Sequence, residues 1–432
     1  MRVVILEPHA DRATEMRRKF AEDGLDAAYI QVIHHVTDLK ITPYWANLIA
    51  VSSLSNYDMA AEEVLDLLLD TLRPISGCLS TDPGFEHQEM LQKLVAARQG
   101  YELHERAGTL LAMRTAELGS AEWTHEAGGS GNTFSSSEQL VRWPLATLWY
   151  SGEIDRLFTP VGHFQHERHP YPLVAQGRMF IITYENLHAI DIYTGRYLWK
   201  AEMPRTPWVE ARYQDSRVYG RPVDRNYVAT DDAVYVILED EIHVYSAENG
   251  TEINVLTFPE NMKKDAFQPR WTEVRIDGDL LYAVLDDTLV ALDRHTGELA
   301  WQRKSTLGAT TFAIGDGRLL GLDFVPAEVG GRGRPATLRG PMFALDAKTG
   351  ALVWSHEVQY ESVPKHAVDN AKPWLLPPNP ELAYNAKHEL IVLTARRNSV
   401  HVCRAGDGKL VWEKAGETGN IHGAEIFTVP LP

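Results

Sequence analysis

Histidines 163, 166 and 169 stand three residues apart, a spacing at which imidazole nitrogens can share a metal ion. The surrounding run is polar and lies between Pro160 and Pro170, so it reads as a loop and not as one face of a helix. Within it Arg168 and His169 form a basic pair. Ser135, Ser136 and Ser137 have no His and Asp in a nucleophile context and read as linker. The two cysteines, Cys78 and Cys403, fall in different halves and imply neither a metal cluster nor a disulfide framework. From these residues no catalytic group and no metal-ligand set is expected. Glu7 closes the apolar run Val3–Leu6 and caps it; Asp38 reads as a loop or turn acid.

Three more acids recur in register. Asp191, Asp293 and Asp346 each stand four residues before a glycine preceded by threonine, at Gly195, Gly297 and Gly350. A carboxylate there can accept from the free N–H groups of a tight turn, and glycine supplies the positive φ that the turn needs. Gly250 and Gly408 mark two further units, so five turns recur roughly 50 residues apart, a period suited to one four-stranded blade with its loops. Four residues after the glycine comes tryptophan, at Trp199, Trp301, Trp354 and Trp412; the second unit has Asn254 instead. An indole on the last strand of a blade can pack against the next blade. Each unit is led by an apolar strand such as Arg178–Thr183, Ala233–Leu238 or Leu280–Leu285.

The first 117 residues alternate strands and helices. Strands are expected over Arg2–Glu7, Ala28–Ile33, Asn47–Ser52 and Ser76–Ser80. Helices are expected over Asp11–Asp23, capped by Asp11 and ended by Gly24, over Met59–Leu72 before Pro74, and over Phe85–Arg98 before Gly100. Tyr101–Arg106 and Thr109–Arg114 flank Ala107-Gly108 as a closing hairpin. Such alternation implies a mostly parallel sheet with helices on its faces.

Composition bounds the rest. At 432 residues the chain fits two or three domains, and 44% apolar with 23% charged residues is a globular profile. A net charge of −17 opposes binding to a nucleic-acid backbone or an anionic membrane. No apolar stretch is long enough to span a bilayer, and the four apolar residues Val3–Leu6 are too few for a signal-peptide core, so a cytoplasmic location is expected. Insertions at Gly330–Pro335 and Lys372–Pro378 read as loops that could touch a ligand or pack on a blade rim.

The pattern Ala-x-Asp-x-x-Thr-Gly-x-x-x-Trp resembles the repeat of pyrroloquinoline quinone dehydrogenases and of the many propellers like them. Glu122-Trp123-Thr124-His125-Glu126-Ala127-Gly128-Gly129-Ser130-Gly131-Asn132-Thr133 looks like the lead-in of such propellers, and the resemblance implies that the basic pair Arg168-His169 lines the propeller's top surface as a binding contact. The N-terminal part is similar to the class I S-adenosylmethionine-dependent methyltransferase fold, on the strength of its terminal hairpin, of Glu7 at the end of the first strand and of Asp38-Leu39 ahead of an apolar strand. That resemblance would make Glu7 a ligand of the ribose hydroxyls and place Asp38 near the adenine. The family's opening strand and glycine loop are missing, since the first glycine is Gly24.

The resemblances together imply an incomplete Rossmann-like segment at residues 1–117, a linker and lead-in at 118–170, and a quinoprotein-like β-propeller of about six to eight blades at 171–432. The quinone enzymes pair two adjacent cysteines over their cofactor, and this chain has no Cys-Cys. The expected function is therefore a non-catalytic binding protein or scaffold, with a protein or small ligand on the propeller face and no cofactor. S-adenosylmethionine-dependent methyl transfer is the alternative if the absent strand is supplied from elsewhere, and quinone-dependent dehydrogenation is a further one.

Overall fold

The computed structural model describes residues 3–25, 30–34, 41–55, 57–145, 147–150, 172–183, 186–204, 227–238, 241–257, 271–285, 287–325, 337–362, 380–395 and 399–414. The chain divides into two compact units. One is Met1–Ser120 with Pro144–Trp149, the other Ala121–Trp143 with Tyr150–Pro432.

In the first unit, β1 (Val3–Glu7) pairs in parallel with β2 (Ile30–His34) across helix α1 (Ala10–Glu22). Helix α1 does not start on Asp11. His9 is its N-cap without a side-chain cap bond, and the Glu7 carboxylate accepts the His9 N–H at 2.9 Å. At the other end Gly24, at φ 72°, allows Leu25 N–H to reach Phe20 O and Gly24 N–H to reach Ala21 O, a Schellman motif. A second sheet has the order β3 (Leu48–Val51), β4 (Gly77–Thr81), β6 (Thr109–Arg114), β5 (Tyr101–Arg106). Only β3 and β4 are parallel.

Among the described residues the strands thus form two sheets, since β1 hydrogen-bonds β2 alone and β3 hydrogen-bonds β4 alone, and the larger sheet is mostly antiparallel where a mostly parallel one was expected. Helices α2 (Ala61–Thr71) and α3 (Gln88–Ala96) cover the larger sheet. Val64, Leu65, Leu68 and Leu69 of α2 and Leu91 and Val95 of α3 bury against Leu79, Leu110 and Ala112. In β1, by contrast, Val3 to Leu6 are only half-buried, since a lone strand pair has little to pack on.

The second unit contains five four-stranded antiparallel sheets among the described residues. The first is β7 (Leu173–Ala175), β8 (Arg178–Ile182), β9 (Asn186–Asp191) and β10 (Tyr197–Glu202). The second is β11 (Tyr227–Ala229), β12 (Ala233–Leu238), β13 (Glu241–Ser246) and β14 (Glu252–Leu256). The third is β15 (Trp271–Asp277), β16 (Leu280–Leu285), β17 (Thr288–Asp293) and β18 (Leu299–Lys304). The fourth is β19 (Ala309–Gly315), β20 (Arg318–Phe324), β21 (Thr337–Asp346) and β22 (Leu352–Ser362). The fifth is β23 (Glu381–Asn385), β24 (Leu390–Ala395), β25 (Ser399–Arg404) and β26 (Leu410–Lys414).

Each sheet is a simple meander, and the first strands pack in chain order: β7 on β11, β11 on β15, β15 on β19, β19 on β23. The apolar cores lie between consecutive sheets. One joins Phe180 and Leu187 to Tyr227, Val234 and Val236; the next joins Tyr235 and Val244 to Leu281 and Val290. Two more link the third sheet to the fourth and the fourth to the fifth. A middle strand therefore buries both faces, which is why Ala233–Leu238 reads as a continuous apolar run without alternation. The result is an all-β, propeller-like stack of blades. Among the described residues no helix is long and apolar enough to cross a membrane.

Candidate functional site

The repeat residues come together at the seams between blades. Asp191 Oδ1 accepts the N–H groups of Tyr193 and Thr194 at 3.0 and 3.1 Å. Asp293 Oδ1 takes those of His295 and Thr296 and the Thr296 hydroxyl, and Asp346 Oδ1 takes the Thr349 N–H and hydroxyl. These donors hold the Asp293 and Asp346 carboxyls below the ordinary aspartate range. The turns close through the glycine N–H: Gly195, Gly250, Gly297, Gly350 and Gly408 all have φ between 65° and 77° and donate to the carbonyl four residues back.

The tryptophans span to the next blade. Trp199 Nε1 donates to Ala247 O at 3.2 Å, Trp301 Nε1 to Ala347 O at 2.9 Å and Trp354 Nε1 to Ala405 O at 2.9 Å. Each ring lies on the glycine of the neighbouring turn. A Cβ on Gly250 would sit 2.5 Å from Trp199, one on Gly350 2.7 Å from Trp301 and one on Gly408 2.5 Å from Trp354. The second blade keeps the bond by other means: Asn254 Nδ2 donates to His295 O at 2.9 Å, and Leu256 covers Gly297. Trp412 departs from the expected seam. It is 50% exposed, against 9% for Trp199.

Charged groups are also engaged between strands. Asp323, fully buried, receives two bonds from Arg303 at 2.9 and 2.8 Å, together with the Thr306 N–H and hydroxyl and the Thr310 hydroxyl. Burial pushes its carboxyl up, but Arg303 and the hydrogen bonds outweigh burial and hold it below the usual range. Arg303 also lies over the Phe343 ring. Arg294 bridges the second and third blades, donating to Asp232, to the Tyr235 hydroxyl and to Gly278 O.

The lead-in adds a group that spacing in the sequence could not locate. His125 is buried, its Nε2 accepts the Ile276 N–H at 3.1 Å, and its Nδ1 is 2.8 Å from the Thr124 hydroxyl. This fixes the proton on Nδ1. Burial, with Arg275 nearby, lowers its pKa to about 3. The clue in the sequence was the cluster of small residues after it, Gly128-Gly129-Ser130-Gly131, which lets backbone approach backbone.

In the first unit Glu7 is buried at the end of β1, bonded to the His9 N–H and 3.5 Å from Arg12. Asp38, Arg168 and His169 lie outside the described residues, as do His163, His166, Gly330–Pro335 and Lys372–Pro378. Among the described residues no three His, Cys, Asp or Glu side chains converge as a metal site. Cys403 is buried, which pushes its thiol up to about 11, and burial also raises that of Cys78.

Residues 184–364 match the family described as "Outer membrane protein assembly factor BamB". Among curated proteins no match was found. Among solved structures, BamB from Moraxella catarrhalis is similar at 15% identity and a TM-score of 0.30, over 57% of this chain and 76% of that one. Hsv2 of Kluyveromyces lactis is similar at 10% identity and 0.33, over 55% of this chain and 60% of that one. A europium-containing methanol dehydrogenase is similar at 13% identity and 0.41, over 68% of this chain and 58% of that one. The match thus spans less than two thirds of the latter two. Residues 184–364 thus carry a repeat similar to that family's.

Proposed function

We propose that this chain is a non-catalytic binding protein or scaffold, whose propeller-like blades present a face to a protein partner or a small ligand. The observation that carries this reading is where the repeat's chemical groups point. The carboxylates of Asp191, Asp293 and Asp346 accept from their own turns, and three indole N–H groups donate to the next blade. Side chains committed to turns and seams are a framework for loops, and loops on a rigid scaffold are where recognition residues sit. The family matched by residues 184–364 is described as an assembly factor, and a protein partner is accordingly the first kind to test. Cross-linking of the full chain in its own cell extract, followed by titration of the purified partner, should give saturable binding. Dye reduction by the chain after addition of quinone and calcium would instead make it a dehydrogenase and end this reading.

A second reading concerns the first unit. Glu7 stands at the carboxyl end of β1, beside His34 of β2, the edge of a parallel sheet where ligands bind. S-adenosylmethionine binding there rests on the resemblance of this part to methyltransferases and on a further strand being supplied. Since Glu7 already accepts from His9 and faces Arg12, the chain alone should show no heat of binding with S-adenosylmethionine by calorimetry. A measurable heat, abolished in Glu7→Gln, would restore the methyltransferase reading.

A further inference from the structure

The first strand of each blade pairs on one edge only, leaving backbone groups on the other edge to be satisfied elsewhere. One short segment meets all five. Trp123 and Val174 of β7 exchange backbone bonds at 2.9 and 2.8 Å, and Ala229 N–H of β11 donates to Thr124 O at 2.9 Å. Ile276 N–H of β15 donates to the His125 ring, Ile314 N–H of β19 to Ser130 O at 2.9 Å and Tyr384 N–H of β23 to Gly131 O at 2.7 Å. Asn132 Nδ2 adds a bond to Leu382 O of β23 at 2.9 Å. The contacts follow the blades in chain order.

The segment is shaped for this. Gly128 N–H bonds back to His125 O, folding the chain between the third and fourth blades, and the Trp123 indole donates to Glu126 O. At Gly131 a Cβ would stand 2.7 Å from Tyr384 O, so only glycine lets the backbone lie this close. Asn132 adopts φ 58°, a conformation asparagine tolerates better than most residues.

We propose that Trp123–Asn132 is an in-chain clamp that binds the first strands of all five blades and makes them one cooperative unit. Tandem repeats with nearest-neighbour contacts alone can open locally, because each repeat is coupled only to the ones beside it. A segment bonded to all five described blades couples them directly: releasing one bond loosens its hold on blades that share no contact with the first. The segment acts on the first strand of each described blade, extending the first sheet by one bridge at Val174 and meeting the other four through isolated bonds.

Hydrogen exchange of the full chain, resolved to the peptides of β7, β11, β15, β19 and β23, tests this. Gly131→Ala displaces the segment from the fifth blade, and His125→Ala removes the acceptor at the third. In either variant exchange should quicken by about tenfold or more in all five strands, β7 and β11 included. Faster exchange confined to the strand next to the substitution overturns the clamp. If both variants fail to fold, the native chain in mild urea decides: a common opening free energy and urea slope for the five strands supports the clamp, and five separate values refute it.

Discussion

At the scale of single residues, the indoles differ by where the chain places them, not by their repeat position. Trp199 closes a core between two blades and donates to Ala247, whereas Trp412 is half exposed. Trp199→Ala should therefore cost about 3–5 kcal/mol in urea unfolding, the range for a large aromatic lost from a core. Trp412→Ala should cost no more than about 1 kcal/mol, in line with partly exposed sites. Equal losses would mean that Trp412 is covered as Trp199 is. The buried histidines make a second case. His125 is held at about 3 by burial and by Arg275, and His188 at about 4 by burial and by Lys200, against an ordinary value of 6.5. As pH falls below 6.5 the unfolded chain takes up protons that the folded one refuses. The stability they contribute is complete above 6.5 and is lost as pH drops through 4 and then 3. The melting temperature should accordingly decline from pH 6.5 downward, before ordinary carboxylates titrate. His125→Gln should flatten that decline; an unchanged slope would show that His125 does not cause it.

At the scale of elements, the turn glycine has two duties. Gly350 sits at φ 71°, and the Trp301 ring occupies the space a side chain would need. Gly350→Ala should thus cost more than the roughly 1–2 kcal/mol of left-handed strain alone. Gly278 has φ 60° with open space around it, so Gly278→Ala should cost only that strain. Comparing their urea midpoints separates strain from steric clash. The first unit shows the reverse situation, elements that are well formed but poorly joined. The packed face of α2 and the hairpin β5–β6 were legible from apolar period and turn residues. Their larger sheet has its own core, while β1, α1 and β2 bury chiefly Ala13 and Val32. Limited proteolysis should therefore cut within β1–α1–β2 before it cuts within β3–β6, because exposure follows the local core.

At the scale of the whole molecule, the net charge is −17 and the repeat carboxylates accept from their own turns, which under the proposed function leaves recognition to the surface loops. Binding by such a surface should weaken little in Asp346→Asn, whose carboxylate accepts from its own turn, and a large loss of partner affinity in that variant would place Asp346 in the recognition site. The amino-acid order alone determined the repeat, because a positive-φ glycine, a turn acid and an indole are local requirements met within a dozen residues. It determined the blade strands as well, through runs of β-branched and aromatic residues. Tertiary structure alone decided three things: that Trp412 stays half exposed while its counterparts close seams, that the described N-terminal strands split into two sheets, and that Trp123–Asn132 reaches each of the five described blades. The reason is physical. Each of these depends on what stands across a gap of tens or hundreds of residues, and hydrogen bonds such as Asn132 to Leu382 leave no periodic trace along the chain.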